Sequence, residues 1–251
     1  MSIVLVGAIG AFSTQNKAFL QQDLMTSTEE NLRVGMDAVV DSLRNGAFGV
    51  PTTNVATWIP WVSGFSANPT ISSTSPATVS VAVCSANAVV TLSAHVNSGA
   101  TTLTVTSAVS GSSLANLLDT GNKRLILIND TESAQVVSVG SSSIQIDTDP
   151  TTTGNQGIKR AYPSGTTICR VDVRTYSIQT DTSTGLPWLS VNLNQGAGNQ
   201  DVADGISGLA VATVSAGNQY QVTLTGRSQN TDLITGGYIT RSLTSNVTIK
   251  H

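Results

Sequence analysis

The sequence predicts an α+β fold: a long N-terminal α-helix packed on an antiparallel, β-rich globular domain that carries a small inserted β unit. Two observations predict it. Helical periodicity holds from the start of the chain to about Phe48 and then ends in Gly46, Gly49 and Pro51. After Pro51 that period vanishes, and short alternating segments bounded by Gly, Ser, Asn and Asp take over. The chain therefore divides into 1–50, the helix, and 51–251, the β-rich domain, with the inserted unit at about 98–168. At 251 residues it is long enough to bury a core without a metal or many disulfides.

The helix carries two periodicities. Its opening, Met1 to Phe12, is apolar, and no charge occurs before Lys17, so residues 1–16 form an apolar tip with Ile3, Val4, Leu5, Val6, Ile9 and Phe12 as its large side chains. A membrane-spanning helix needs about 20 apolar residues, so this stretch alone is too short to cross a bilayer. It also lacks the basic region and small-residue cleavage site of a secretory signal peptide. From 17 to 48 the pattern is amphipathic. Met25, Leu32, Met36, Val39 and Leu43 share one face, and Glu30, Arg33, Asp37, Asp41 and Arg44 share the opposite one. Arg33 with Asp37, and Asp41 with Arg44, have the spacing of helix-surface ion pairs. Thr26 and Glu29 have capping-box spacing, but no Pro or Gly accompanies them, so continuity is expected. The rod is roughly 65 Å long at about 1.5 Å per residue. Its first third has no partner in its own domain, which places the tip in a membrane or among similar helices.

The β-rich part shows its strands through alternation. Gln135–Val139 and Ile144–Asp147 flank the turn Gly140–Ser143 as a hairpin, with Val137 and Val139 expected on one face and Ile144 with Ile146 on one face. Leu125–Ile128 is apolar throughout and reads as a strand covered on both sides. These segments and Thr101–Val105 make up the inserted unit. Tyr220–Thr225 and Leu243–Ile249 alternate cleanly and are expected to pair as an antiparallel ribbon against the helix. Residues 52–80 read as an irregular surface excursion holding Trp58, Trp61 and Phe65. Those aromatics form either a contact surface or packing beneath the loop.

Composition narrows the function. Charged residues make up only 11% of the chain, with Ser, Thr, Asn and Gly in the surface-type positions, as in exported bacterial proteins. A net charge of −3 without any Lys/Arg cluster leaves no phosphate-binding footprint, so nucleic acid is not expected as a partner. The two cysteines, Cys84 and Cys169, lack zinc-site spacing and histidine neighbours. They read as one disulfide in an oxidising compartment, or alternatively as two buried thiols. His95 and His251 have no nucleophile or ligand partner nearby in sequence, and no nucleophile elbow, P-loop, HExxH or CxxC occurs. Asp147 with Asp149, and Asn129 with Asp130, carry oxygens of the kind Ca²⁺ takes, but read better as polar turn ends. Neither enzyme nor cofactor is expected.

The run Glu30-Asn-Leu-Arg-Val-Gly-Met-Asp37, continuing through Leu43-Arg-Asn-Gly-Ala-Phe-Gly-Val-Pro51, resembles the helix end of PilW-type minor pilins of type IV pili, relatives of the J-type pseudopilins of type II secretion. Three later stretches are similar to the same family in the same order. They are Val173–Ile178 with Gly185–Leu189, then Val202–Ile206, and the terminal pair Val222–Arg227 and Arg241–Ser245. The resemblance covers the helix and the last third well and the middle poorly.

The resemblance implies a filament subunit of the tip complex that primes pilus assembly. It would reside in the bacterial inner membrane before assembly, then in the periplasm or the extracellular pilus. Other pilins would be its partners through the helix. It also implies a clipped basic leader and a glutamate near the mature terminus. Neither is present, so Met1 aligns roughly ten residues into the mature helix. Two other readings remain: a pilus-displayed adhesin with a surface or glycan ligand, using the Trp58–Phe65 loop or the inserted unit, and a main-shaft subunit.

Overall fold

The computed structural model describes the chain apart from residues 1, 47–48, 52–53, 108–113, 119–124, 216–218 and 250–251, and apart from the side chains of 2–9, 86–88, 107, 116–117 and 215. Helix α1 spans Ser2–Arg44 without a break. At the point where a cap would have divided it, the Thr26 hydroxyl donates to the Gln22 carbonyl at 3.0 Å, and Thr28 donates to the Leu24 carbonyl at 2.7 Å. Both hydroxyls bond back into the preceding turn and leave the helix whole. Leu32, Met36, Val39 and Leu43 are buried and Met25 is half-buried, while Glu30, Arg33, Asp37, Asp41 and Arg44 face solvent.

Beyond the helix come α2 (Val55–Trp58), β1 (Thr70–Ile71), β2 (Val79–Leu92), β3 (Thr102–Ser107), α3 (Leu114–Leu118), β4 (Leu125–Ile128), β5 (Glu132–Val139) and β6 (Ser143–Asp147). The chain continues through β7 (Thr167–Thr180), β8 (Pro187–Asn192), β9 (Asn199–Asp204), β10 (Ile206–Ser215), β11 (Gln219–Thr231) and β12 (Tyr238–Thr248). All described pairings are antiparallel. One sheet has the order β1-β2-β3-β6-β5-β4-β7-β8-β9 with an additional β2–β7 pairing, and a second has the order β10-β11-β12.

That extra pairing gives the large sheet two parts. The strands β2, β3, β6, β5, β4 and β7 return to β2 and close a six-stranded barrel. The other ends of β2 and β7 continue out of it as an open sheet with β1, β8 and β9. Closure removes the sheet edges that an isolated small β unit would expose. Residues 98–168 thus supply four of the barrel's strands and share its wall with two strands of the main domain. The barrel interior is filled by Val90, Leu103, Val105, Ile126, Ile128, Val136, Ile144, Ile146 and Ile168, and α3 adds Leu114 and Leu118 to the same core.

β4 shows how full burial arises. Ile126 and Ile128 point into the barrel, whereas Leu125 and Leu127 face outward under the 50–65 segment, so all four positions are covered. The neighbouring β5–β6 hairpin forms with a register shift between Val136 and Ser138. The shift corrects the expected face: Val136 is buried and Val137 is exposed, because one extra residue on β5 moves the inward position back by one.

Helix α1 lies against both sheets. Its buried face shares a core with Val79, Val81, Tyr176 and Leu189 of the large sheet and with Val222, Leu224 and Val247 of the small one. Gly35 marks the closest approach, since a Cβ there would stand 3.2 Å from Leu189 on one sheet and 3.2 Å from Leu224 on the other. The C-terminal ribbon pairs as its alternation predicts, with Val222 opposite Ser245 and Leu224 opposite Leu243, and β10 adds a third strand. The result is an α+β architecture consistent with a pilin-like fold.

Candidate functional site: the exposed half of the helix

Contacts between α1 and the β domain begin late along the helix. Gln21 donates from Nε2 to Asp232 Oδ2 at 3.2 Å, and one turn further Arg241 Nη2 lies 3.6 Å from the Met25 sulfur. From there the helix is buried on one side through Leu43. Gly226 on β11 allows this close packing, because a Cβ at that position would lie 2.9 Å from Leu32 Cγ and 3.1 Å from Thr28 Cγ2.

Before Gln21 the environment reverses. Residues 10–20 are all exposed, including the large side chains Phe12 at 68%, Phe19 at 67% and Leu20 at 51%. Phe12 and Phe19 are seven residues apart, so they lie on the same face, turned away from the domain. Ile3, Val4, Leu5, Val6 and Ile9 sit on the backbone of the same helix, and their side chains lie outside the described residues. Among the described residues no helix is long and apolar enough to cross a membrane. Composition of the first twelve residues directed attention to the run that ends at Phe12. The i,i+7 spacing to Phe19 was the signal that extends the apolar face into the segment read as amphipathic.

The loop between β11 and β12 is fastened to the helix by Asp232. Its carboxylate, itself buried, accepts from the backbone N–H groups of Ile234 and Thr235, each at 3.1 Å, from the Thr235 hydroxyl at 2.9 Å and from Gln21. These donors, led by the Ile234 N–H, hold the carboxyl below the usual carboxylate range.

The cysteines are joined. Cys84 and Cys169 form a disulfide with Cα atoms 5.7 Å apart. It crosses between β2 and β7 at the irregular stretch of their ladder, where the register shifts between Cys84 and Val89. A disulfide on this scale indicates an extracytoplasmic protein. Among the described residues the grouping of potential metal ligands is Cys84, Asp130 and Cys169, and its two thiols are consumed by that bond.

The aromatic excursion does not present a contact surface. Trp58 and Phe65 are buried with Val55, Ile59 and Val62 against the outward face of β4, β2 and β7, and Trp61 packs partly against the same cluster. Large apolar groups in a polar segment were drawn under it by burial of their own area. Beside Trp58 lies an open polar cleft of about 510 Å³, bordered by Asn54, Glu132, Thr148, Asp149, Lys159 and Arg160. Glu132 is buried and turned inward, accepting from the Lys159 N–H at 2.6 Å and the Tyr162 hydroxyl at 2.8 Å. Burial and that carboxylate contact push the Tyr162 hydroxyl above its usual value. Asp147 and Asp149 act as turn ends. Asp147 accepts from the Asp149 and Gln156 N–H groups, and Asp149 accepts from the Thr151 N–H and the Thr151 and Thr152 hydroxyls.

Among the described residues, the N-terminal part of α1 projects from the domain with Phe12, Phe19 and Leu20 uncovered. Comparison with protein-family profiles, with curated proteins and with solved structures finds no match for this chain.

Proposed function

We propose that this chain is a structural subunit of a type IV pilus or related filament, a minor pilin of the tip complex that primes assembly, with no catalytic role. The helix tip is held in the inner membrane before assembly and enters a bundle of other pilins' helices afterwards, while the β domain faces outward. The observation that carries this reading is the division of α1: Leu32, Met36, Val39 and Leu43 are buried in the domain's core, whereas Phe12, Phe19 and Leu20 are solvent-exposed. A helix that served only its own domain would gain nothing from such side chains in water, each of which favours burial by roughly 1.5–3 kcal/mol. The disulfide supports an extracytoplasmic setting, and the sequence resemblance supplies the minor-pilin assignment.

The test compares tagged wild-type chain with Phe12→Asp in filaments sheared from the native host. Recovery of wild type at low copy number and loss of the variant from filaments, with the variant still disulfide-bonded in the periplasm, is the expected result. Equal recovery of both removes the helix from the assembly. High copy number throughout the shaft replaces the minor-pilin assignment with a main-shaft one.

A further inference from the structure

The loop 233–236 protrudes from the end of the β11–β12 hairpin. Asp232 and Gly237 close its base, with the Asp232 N–H donating to the Gly237 carbonyl at 2.7 Å. At its tip Leu233 is 60% exposed and Ile234 is 56% exposed. No charged side chain occurs from 233 to 240. The one acid at its base, Asp232, is turned inward to its four donors.

The hairpin runs toward the N-terminal end of α1, since Arg241 meets Met25 while Asp232 meets Gln21, one turn nearer that end. The loop beyond Asp232 therefore reaches the level of Lys17 to Leu20. Around the helix at this level, successive residues are turned by about 100°. Gln21 faces the hairpin, Leu20 lies to the side, and Phe19 lies on the opposite face. Large exposed apolar groups thus stand on three sides of the rod at one height, the loop on one side, Leu20 on one flank and Phe19 behind, while the other flank carries Ala18 and Gln22. A single neighbouring helix would cover one side of the rod. A plane perpendicular to it covers all sides at one depth.

We propose that Phe19, Leu20 and the Leu233–Ile234 tip form a belt that seats the unassembled subunit at the headgroup layer of a bilayer. This inference rests on the membrane-anchored stage of the function proposed above. The dimensions agree. Phe12 lies about 14 Å along the axis from Gln21 and Lys17 about 6 Å, and the interfacial layer on each side of a bilayer is roughly 5–8 Å deep. With Phe12 about 5 Å inside the hydrocarbon edge, Phe19 and Leu20, about 10 and 12 Å further along the axis, meet the headgroups, and Lys17 can extend its ammonium along them. The net charge of −3 and the uncharged loop favour a zwitterionic surface over an anionic one.

The experiment measures partition of the full chain onto phosphatidylcholine vesicles, with Leu233→Ser/Ile234→Ser and a deletion of residues 1–20 as comparisons. Hydrogen exchange of segment 233–237 in the unmodified chain is followed with and without vesicles. The expected result is wild-type binding, about five- to tenfold weaker partition of the double variant, and protection of 233–237 only with vesicles. Binding that the deletion abolishes but the double variant leaves unchanged, with 233–237 unprotected, overturns the belt and leaves the helix anchor standing. Loss of self-association without loss of vesicle binding in the double variant overturns it in favour of a neighbouring subunit. Absence of wild-type binding removes both the belt and the membrane stage.

Discussion

The Tyr176 hydroxyl lies 2.7 Å from the Ser42 hydroxyl and donates to the Ala38 carbonyl at 3.1 Å, tying β7 to the last turns of α1. With the phenol proton committed to Ala38, Ser42 donates to Tyr176, and Arg174 donates to Ser42 at 3.2 Å. Both hydroxyl residues are buried, Tyr176 at 3% exposure and Ser42 at 1%. Tyr176→Phe leaves the Ser42 hydroxyl and the Ala38 carbonyl without this partner and is expected to cost about 1–2 kcal/mol. Urea unfolding of Tyr176→Phe, Ser42→Ala and the double variant checks it. The double variant should lose less than the sum of the singles.

The two halves of α1 should respond oppositely to change. Deleting residues 1–20 removes only exposed side chains among those described, and is expected to leave a soluble domain with an unchanged melt. Leu32→Ala, in the core, is expected to cost about 2–5 kcal/mol. Gly226→Ala should also destabilise, by about 1–3 kcal/mol, since its Cβ intrudes on Leu32 and Thr28. A melt in which truncation unfolds the domain and Leu32→Ala does nothing would invert the packing described here.

The Cys84–Cys169 bond closes a loop with a sequence separation of 85. In the chain-entropy account such a loop contributes roughly 4 kcal/mol. Cys84→Ala/Cys169→Ala is expected to lower the denaturation midpoint accordingly. Local opening should appear first at the irregular β2–β7 stretch, read as faster hydrogen exchange at 84–91 and 167–171 than in β11. Free thiols in non-reduced peptides of periplasmic material would contradict the bond itself.

Asp149, Asp181 and Asp232 each accept several local hydrogen bonds that hold their carboxyls below the usual range. Their folded-state values lie below their unfolded ones, so their stabilisation is complete above the ordinary carboxylate value and is lost as pH falls through the lower, folded one. Stability should therefore be flat from neutral pH to about 5 and decline below about 4. Asp232→Asn should lessen that decline and loosen the 232–237 loop, measured as faster exchange of the Ile234 and Thr235 amides. A decline of the same steepness in Asp232→Asn would exclude this residue as a contributor.

The helix and the C-terminal ribbon were legible because their information is local. A 3.6-residue repeat from Met25 to Leu43 and a two-residue repeat in Tyr220–Thr225 each declare both the element and the face it buries. The exposure of Phe12, the one described side chain among the large apolar residues of the tip, agrees with an apolar run that has no partner face. The β5 face was misread by one position, since the shift at Val136–Ser138 reflects pairing with β6, which no single strand records. Trp58 and Phe65 were ambiguous because residue type states an appetite for burial and not which surface satisfies it. That surface includes the outward side of β4 and β7, assembled from segments sixty or more residues away.

Sequence by itself determined the α+β class, the extent and polarity of α1, and the pairing of the only two cysteines as one of two alternatives. Tertiary structure alone decided that β2 and β7 bind one another as well as β3 and β4 and so close a barrel, and that Asp232 fastens a hairpin to Gln21. The physical reason is range. Periodicity and composition are written within a few turns or residues, whereas barrel closure and the fastening of a hairpin to a helix are set by long-range hydrogen bonds and packing, whose partners the chain brings together only on folding.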